Sequence, residues 1–206
     1  MDYLKTLTPE IEQVSIDECY MDFTSIVNQY PSALEAAHQI KDTISDTMGF
    51  TVNIGISDCK VLAKMASDFK KPNLVHTLYR HEIKEKMWPL PVSSLFMCGK
   101  SSVDELRKLE ILTIGDLACA DPAIISLHLK SHGKLLWEFA NGIDDSKVEP
   151  VHPDAKGIGN STTMAKDAED LDTIHKVLLS LSDSVASRIR KADSMAYMVS
   201  VEVKYN

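Results

Sequence analysis

The residues best suited to chemistry stand in one short stretch, Ser15-Ile16-Asp17-Glu18. Asp17 and Glu18 are adjacent carboxylates, the donors that hard Mg²⁺ prefers while it keeps waters and substrate phosphates in its shell. Val14 and Ile16 alternate as strand residues, and Cys19, Met21 and Phe23 then alternate in the opposite phase. A strand has period two, so the slip marks a turn or bulge at Asp17-Glu18, read as a hairpin. Taken alone, acidic residues in a turn are also what plain solvation selects. A second group follows. Leu62, Met65, Ala66 and Phe69 recur at helical spacing as a buried face, while Lys60, Lys64, Ser67 and Lys71 form a polar stripe ending in Lys71-Pro72-Asn73. Basic groups so arranged suit a triphosphate, and by themselves equally suit a solvated lysine face.

Other candidates carry less. His128 and His132 are four apart with no third ligand near, and a zinc site wants more. Ser15 has no placed histidine to activate it as a nucleophile. Trp88 and Trp137 sit among apolar residues and read as core.

The elements that must position these groups are legible in outline. A helix is expected over residues 32–48, ended by Gly49, then a strand over 51–56, a helix over 59–69, a strand near 75–78 and a helix near 82–87. Pro89 and Pro91 punctuate the chain, and short helices follow at 102–109, 113–119, 122–129 and 134–140. Ser102-Val103-Asp104-Glu105 fits a capping box for the first of them. Residues 143–157 are polar with two prolines and read as a linker; beyond them a strand (158–164), a long helix (170–191) and a strand (196–205) are expected. The first and last modules leave sheet edges that need partners, so both look incomplete.

Composition narrows the class. A chain of 206 residues with 44% hydrophobic and 25% charged content is ordinary globular protein, with no apolar run long enough to span a membrane and no basic leader ahead of an apolar stretch. Cys19, Cys59, Cys98 and Cys119 are far apart, which points to free thiols in a reducing cytoplasm. The net charge of −8 does not suggest nucleic acid, whose binding rests on neutralising phosphates. It is unevenly spread: residues 1–91 hold 9 basic and 13 acidic groups, 92–145 hold 5 and 8, and 146–206 hold 8 and 9.

In combination the motifs resemble a known family. Ser15-Ile16-Asp17-Glu18-Cys19-Tyr20-Met21-Asp22 is similar to the S-I-D-E-A-Y-x-D motif of the Y-family (DNA polymerase IV type) translesion polymerases. Gly55-Ile56-Ser57, the run from Leu62 to Asp68, Lys71-Pro72-Asn73, Thr113-Ile114-Gly115-Asp116-Leu117 and Gly157-Ile158-Gly159-Asn160-Ser161-Thr162-Thr163 resemble further elements of that family in order. The resemblance implies an α+β chain: a partial palm sheet with helices (1–90), a small all-helical thumb (91–143), a linker (144–157) and a partial β-α-β little finger (158–206).

It also implies roles. Asp17 and Glu18 would ligate Mg²⁺, two ions in the complete enzyme, with Glu18 catalytic; Lys71 would contact nucleotide phosphates. Gly99, Lys100 and Ser101 would meet a DNA phosphate at a helix N-terminus, and Lys156 and Lys166 would flank a strand along the DNA. The partners implied are primer–template DNA and a deoxynucleoside triphosphate, with a processivity clamp open as a further partner through segments not carried here, and no membrane. Met97 and Glu110 stand where the family has glycines, as does Leu74 after the Lys-Pro-Asn turn. No acidic strand of the D-x-D-x-F-F kind precedes Asp17, so the expectation is a fragment of a DNA-directed polymerase, inactive alone. A non-catalytic DNA-binding or mutagenesis-accessory protein of the same fold remains the alternative; a nucleotide cyclase, which shares a carboxylate-bearing hairpin, predicts no thumb.

Overall fold

A computed structural model describes residues 1–151 and 157–204, and contacts divide the chain into two units, Met1–His152 and Pro153–Asn206. In the first unit a short helix α1 (Asp2–Leu7) precedes strands β1 (Ile11–Gln13) and β2 (Cys19–Met21), which pair antiparallel with Ile11 opposite Met21, Glu12 opposite Tyr20 and Gln13 opposite Cys19. Helix α2 (Ala33–Met48) starts where the Ser32 hydroxyl accepts the Glu35 amide and stops at Gly49, whose φ of 71° is the left-handed conformation open to glycine. Its inward stripe is Ala36, Ala37, Ile40 and Ile44.

Strand β3 (Ile54–Ile56), helix α3 (Lys60–Ser67) and strand β4 (Val75–Thr77) form a parallel β-α-β unit, with Ile54 opposite Val75 and Ile56 opposite Thr77. The approach of α3 to β3 is close. A Cβ on Gly55 would lie 1.9 Å from the Ala63 carbonyl oxygen and 2.6 Å from the Ser67 amide nitrogen, so only glycine fits. Among the described residues β1–β2 and β3–β4 are two separate two-stranded sheets.

The helical half comprises α4 (Ile83–Lys86), α5 (Lys100–Lys108), α6 (Ile114–Cys119) and α7 (Pro122–Ala140). Leu62, Met65 and Leu78 from one side of the Pro89-Leu90-Pro91 punctuation share a core with Leu106, Ile114 and Leu136 from the other. Each fully buried side chain of this kind contributes roughly 1.5–3 kcal/mol over exposure. The indole N–H groups of Trp88 and Trp137 donate to the carbonyls of Ala140 and Ala120, so both tryptophans are structural.

Two sequence expectations are corrected. The capping box sits at Thr113, not Ser102: Thr113 Oγ1 accepts the Asp116 amide at 3.0 Å, and Asp116 Oδ2 accepts the Thr113 amide at 2.8 Å. Helix α5 begins at Lys100, after Gly99 takes the first helical hydrogen bond from Val103, which leaves Ser102 buried inside the first turn. The two helices expected at 122–129 and 134–140 are the two arms of α7, which meet at a break where Lys130 leaves helical geometry at φ 55°, ψ −140°.

In the second unit, α8 (Leu171–Lys191) is capped by Asp170, which accepts the Thr173 amide, and Arg188 donates to the Gly159 carbonyl at 2.7 Å. The segments expected as strands at 158–164 and 196–205 have no ladder partner among the described residues. A ladder requires a neighbouring strand, and Tyr197, Val199, Val201 and Val203 accordingly stand exposed. Residue 205 of that second segment lies outside the described residues.

The Gly55 packing is testable. Gly55→Ala forces α3 off β3 and should lower unfolding free energy by about 1–3 kcal/mol in urea titration.

Candidate active site

The hairpin closes at the Gln13–Cys19 rung, and residues 14–18 form the turn. The amides of Val14 and Ser15 both donate to the Glu18 carbonyl, at 2.9 and 3.1 Å. Ser15 Oγ is the hub: it donates to Asp17 Oδ1 at 2.6 Å and accepts the Glu18 amide at 3.1 Å. Ile16, read from its alternation as a strand residue, is instead 94% exposed at the tip. The Glu18 carbonyl captures two amides and ends the ladder earlier than the period-two pattern suggests.

The hydroxyl of Ser15, and then the backbone N–H of Asp17 itself, hold the Asp17 carboxyl below the usual carboxylate range. Glu18 Oε1 accepts Lys64 Nζ at 2.5 Å. Lys64 also lies 3.2 Å from Asp68, and Lys71 reaches the other Asp68 oxygen at 2.7 Å. Burial pushes Asp68 up, but hydrogen bonds from Lys71 and Lys64 outweigh it and leave the carboxyl low. Burial likewise pulls Lys64 down, and its bonds to Glu18 and Asp68 reverse the sign and hold it above an ordinary lysine.

The lysine stripe is therefore not a free basic face. Lys60 pairs with Glu12, Lys64 with Glu18 and Asp68, and Lys71 with Asp68. Sequence reasoning missed Glu12, Asp68 and Asn53. Asp68 was within reach, since it stands four residues after Lys64 and three before Lys71, the spacing of helix-surface pairs. Asn53 had no local signal. Its amide donates to the Ser67 and Lys70 carbonyls and its oxygen accepts the Leu74 amide at 3.1 Å, which ties both ends of the Lys71-Pro72-Asn73 turn.

Asp17, Glu18, Lys64, Asp68 and Lys71 line a cleft of about 1470 Å³ whose apolar wall includes Ile40. Tyr20 borders it, its hydroxyl pushed up to about 12 chiefly by burial. The donor chemistry of Asp17 and Glu18 fits Mg²⁺, which is held by one or two carboxylates and completed by water and phosphate oxygens. The described residues contain no group of three or more His, Cys, Asp or Glu placed to hold a metal, His128 and His132 included.

The other expected site residues stand apart from this cluster. Gly99, Lys100 and Ser101 are exposed at the start of α5, which no side chain caps. Lys166 is exposed in the second unit, and Lys156 lies outside the described residues. The four cysteines are free thiols, and no helix among the described residues is long and apolar enough to cross a membrane.

Residues 1–68 match the profile described as the impB/mucB/samB family, and residues 155–206 that of its C-terminal domain. The chain belongs to this family, the Y-family polymerases. It is 47% identical over 204 residues to a DNA polymerase IV of Clostridium acetobutylicum, across 99% of this chain and 51% of the relative. It is 39% identical over 207 residues to that of Clostridium kluyveri, across 100% and 52%. The chain thus spans about half the length of the curated relatives it matches. Among solved structures, a Y-family DNA polymerase chimera superposes with a TM-score of 0.76 at 24% identity, covering 91% of this chain and 55% of the other. DinB of Sulfolobus solfataricus gives 0.65 at 24%, with the same coverage; at that identity the likeness is one of fold.

The Asp68 cluster has a definite pH signature. A carboxyl lowered on folding contributes stability above its unfolded value of 3.8 and loses it as pH falls through the folded value. Asp68→Asn should cost at most about 1 kcal/mol at pH 7, because the pair is partly solvated. In denaturant titrations the difference from the parent should be full above pH 3.8 and shrink as pH falls below it and the folded carboxyl protonates.

Proposed function

We propose that the chain supplies the carboxylate hairpin, the thumb and the start of the little finger of a template-directed DNA polymerase that copies damaged DNA. Residues 1–90 would be the partial palm, 91–143 the thumb, 144–157 the linker and 158–206 the partial little finger. The observation that carries this reading is the convergence of Asp17, Glu18, Lys64, Asp68 and Lys71 on one cleft, in a chain 47% identical to a DNA polymerase IV.

Asp17 and Glu18 hold Mg²⁺ in this proposal, and Glu18 is the catalytic carboxylate. Bound there, Mg²⁺ supplies charge stabilisation for the attacking and leaving oxygens of an in-line phosphoryl displacement. The protein's own residues do the positioning. Ser15 fixes the Asp17 carboxylate through its 2.6 Å hydrogen bond, so the oxygens need no reorganisation. Lys64 neutralises Glu18, and Lys71, 60% exposed, is free to exchange Asp68 for a triphosphate oxygen. The start of α5 at Gly99, Lys100 and Ser101 offers amides and a positive helix end to a DNA phosphate. Lys156 and Lys166 would flank a segment of the little finger that lies along the DNA. The activity, a primer–template and deoxynucleotide as partners, and a cytoplasmic location belong to the complete protein, for which a clamp stays open as a further partner. Two carboxylates are too few to hold both ions, so this chain alone is inactive.

Two experiments test this. In the complete protein, Glu18→Gln should lower kcat for primer extension by at least about a hundredfold, with primer–template affinity unchanged by fluorescence anisotropy. The chain alone should give no templated extension. Normal turnover in Glu18→Gln would remove the catalytic assignment. In the second, Lys100→Ala should flatten the log–log salt dependence of DNA binding by roughly one unit. An unchanged slope would take α5 off the DNA.

A further inference from the structure

The hairpin bearing Asp17 and Glu18 shares no ladder with β3 or β4 among the described residues, so its placement against α3 depends on side chains. The contacts converge on Lys60, the first residue of α3. Its Nζ donates to Glu12 Oε2 at 2.6 Å and to the Lys147 carbonyl at 3.2 Å, and sits 4.8 Å from the centre of the Tyr20 ring. Glu12 and Tyr20 face each other across the hairpin, so a single cation grips both strands at the rung next to the one that closes the turn. Glu12 Oε2 also accepts the Glu149 amide at 2.9 Å. Asp144 receives the Val61 amide at 2.9 Å and the Ser146 amide at 3.0 Å, which ties the start of this segment to the first turn of α3. One helical turn on, Lys64 takes hold of Glu18 itself.

We propose that Lys60 is a positioning residue for the carboxylate turn: it clamps β1, β2 and residues 144–149 onto α3, and so fixes where Asp17 and Glu18 stand. The side chains of Lys60 and Glu12 are only 17% and 19% exposed, so the pair is screened less than a surface pair. Losing one partner removes the opposite charge from a largely buried ionised group. The tyrosine face adds a second attraction, which arginine retains and methionine does not. The role rests on the carboxylate-site reading above, but the contacts do not.

Amide hydrogen exchange on the full chain tests it. Val14, whose amide donates to the Glu18 carbonyl, and Asp22, whose amide donates to the Glu10 carbonyl, report the hairpin; Leu117, bonded to the Thr113 carbonyl, reports the helical core. Lys60→Met should raise exchange at Val14 and Asp22 by about tenfold with Leu117 unchanged, and Lys60→Arg should stay within about twofold of the parent. Glu12→Gln keeps the shape and drops the charge; it should reproduce the pattern and serves where Lys60→Met does not fold. Hairpin exchange that holds steady in these variants overturns the clamp, as does a parallel rise at Leu117, which would make Lys60 a general stabiliser. Mn²⁺ binding by electron paramagnetic resonance separates the two readings. Weaker binding in both Lys60→Met and Asp17→Asn supports the positioning role. A loosened hairpin with Mn²⁺ binding untouched by Asp17→Asn leaves the clamp standing and removes the metal site.

Discussion

The seating of α3 on β3 is the constraint on which the rest of the first unit depends. The absent side chain of Gly55 lets the Ala63 carbonyl approach to a distance any Cβ would forbid. That approach buries Val61, Leu62, Met65 and Ala66 on one face of α3 and leaves Lys60 and Lys64 on the other. A helix one ångström further out would carry both ammonium groups away from their carboxylates. The position of the hairpin therefore follows from a packing event on the far side of the helix.

The same seating resolves the tension between an acidic chain and a proposed DNA partner. Lys60, Lys64 and Lys71 are committed to Glu12, Glu18 and Asp68. Lys86 and Lys108 are likewise committed to Glu82 and Glu105 along their own helices. Those five cations are neutralised where they stand, so a duplex would be met by lysines outside these pairs, such as Lys100 and Lys166, together with oriented backbone amides such as those opening α5.

Besides Lys130, two residues of the helical half carry visible strain. Met97 and Glu110 occupy positive φ, 67° and 59°, at the places where the family pattern has glycine. Left-handed geometry costs a non-glycine residue roughly 1–2 kcal/mol. The turns keep their shape because Leu95, Cys98, Leu106 and Ile111 on either side are buried in the shared core.

Period, punctuation and capping chemistry sufficed for much of this structure. The Ser32 and Gly49 ends of α2, the buried face of α3, the break inside α7 and the hairpin at Asp17-Glu18 were legible because each depends on residues within a few positions of one another. Two local readings still failed. Ile16 alternates like a strand residue yet sits at the tip, and Ser102 has the letters of a capping box inside a helix that starts two residues earlier. In both cases a backbone hydrogen bond, to the Glu18 or the Gly99 carbonyl, claimed the position first. The sequence also displayed the Lys60, Lys64 and Lys71 stripe and the Asp17-Glu18 pair. Only the tertiary structure decided that they meet, because Glu12 and Lys60 lie 48 residues apart and Glu18 and Lys64 lie 46 apart. Pairings that distant are set by how a helix seats on a strand, and no periodicity records that.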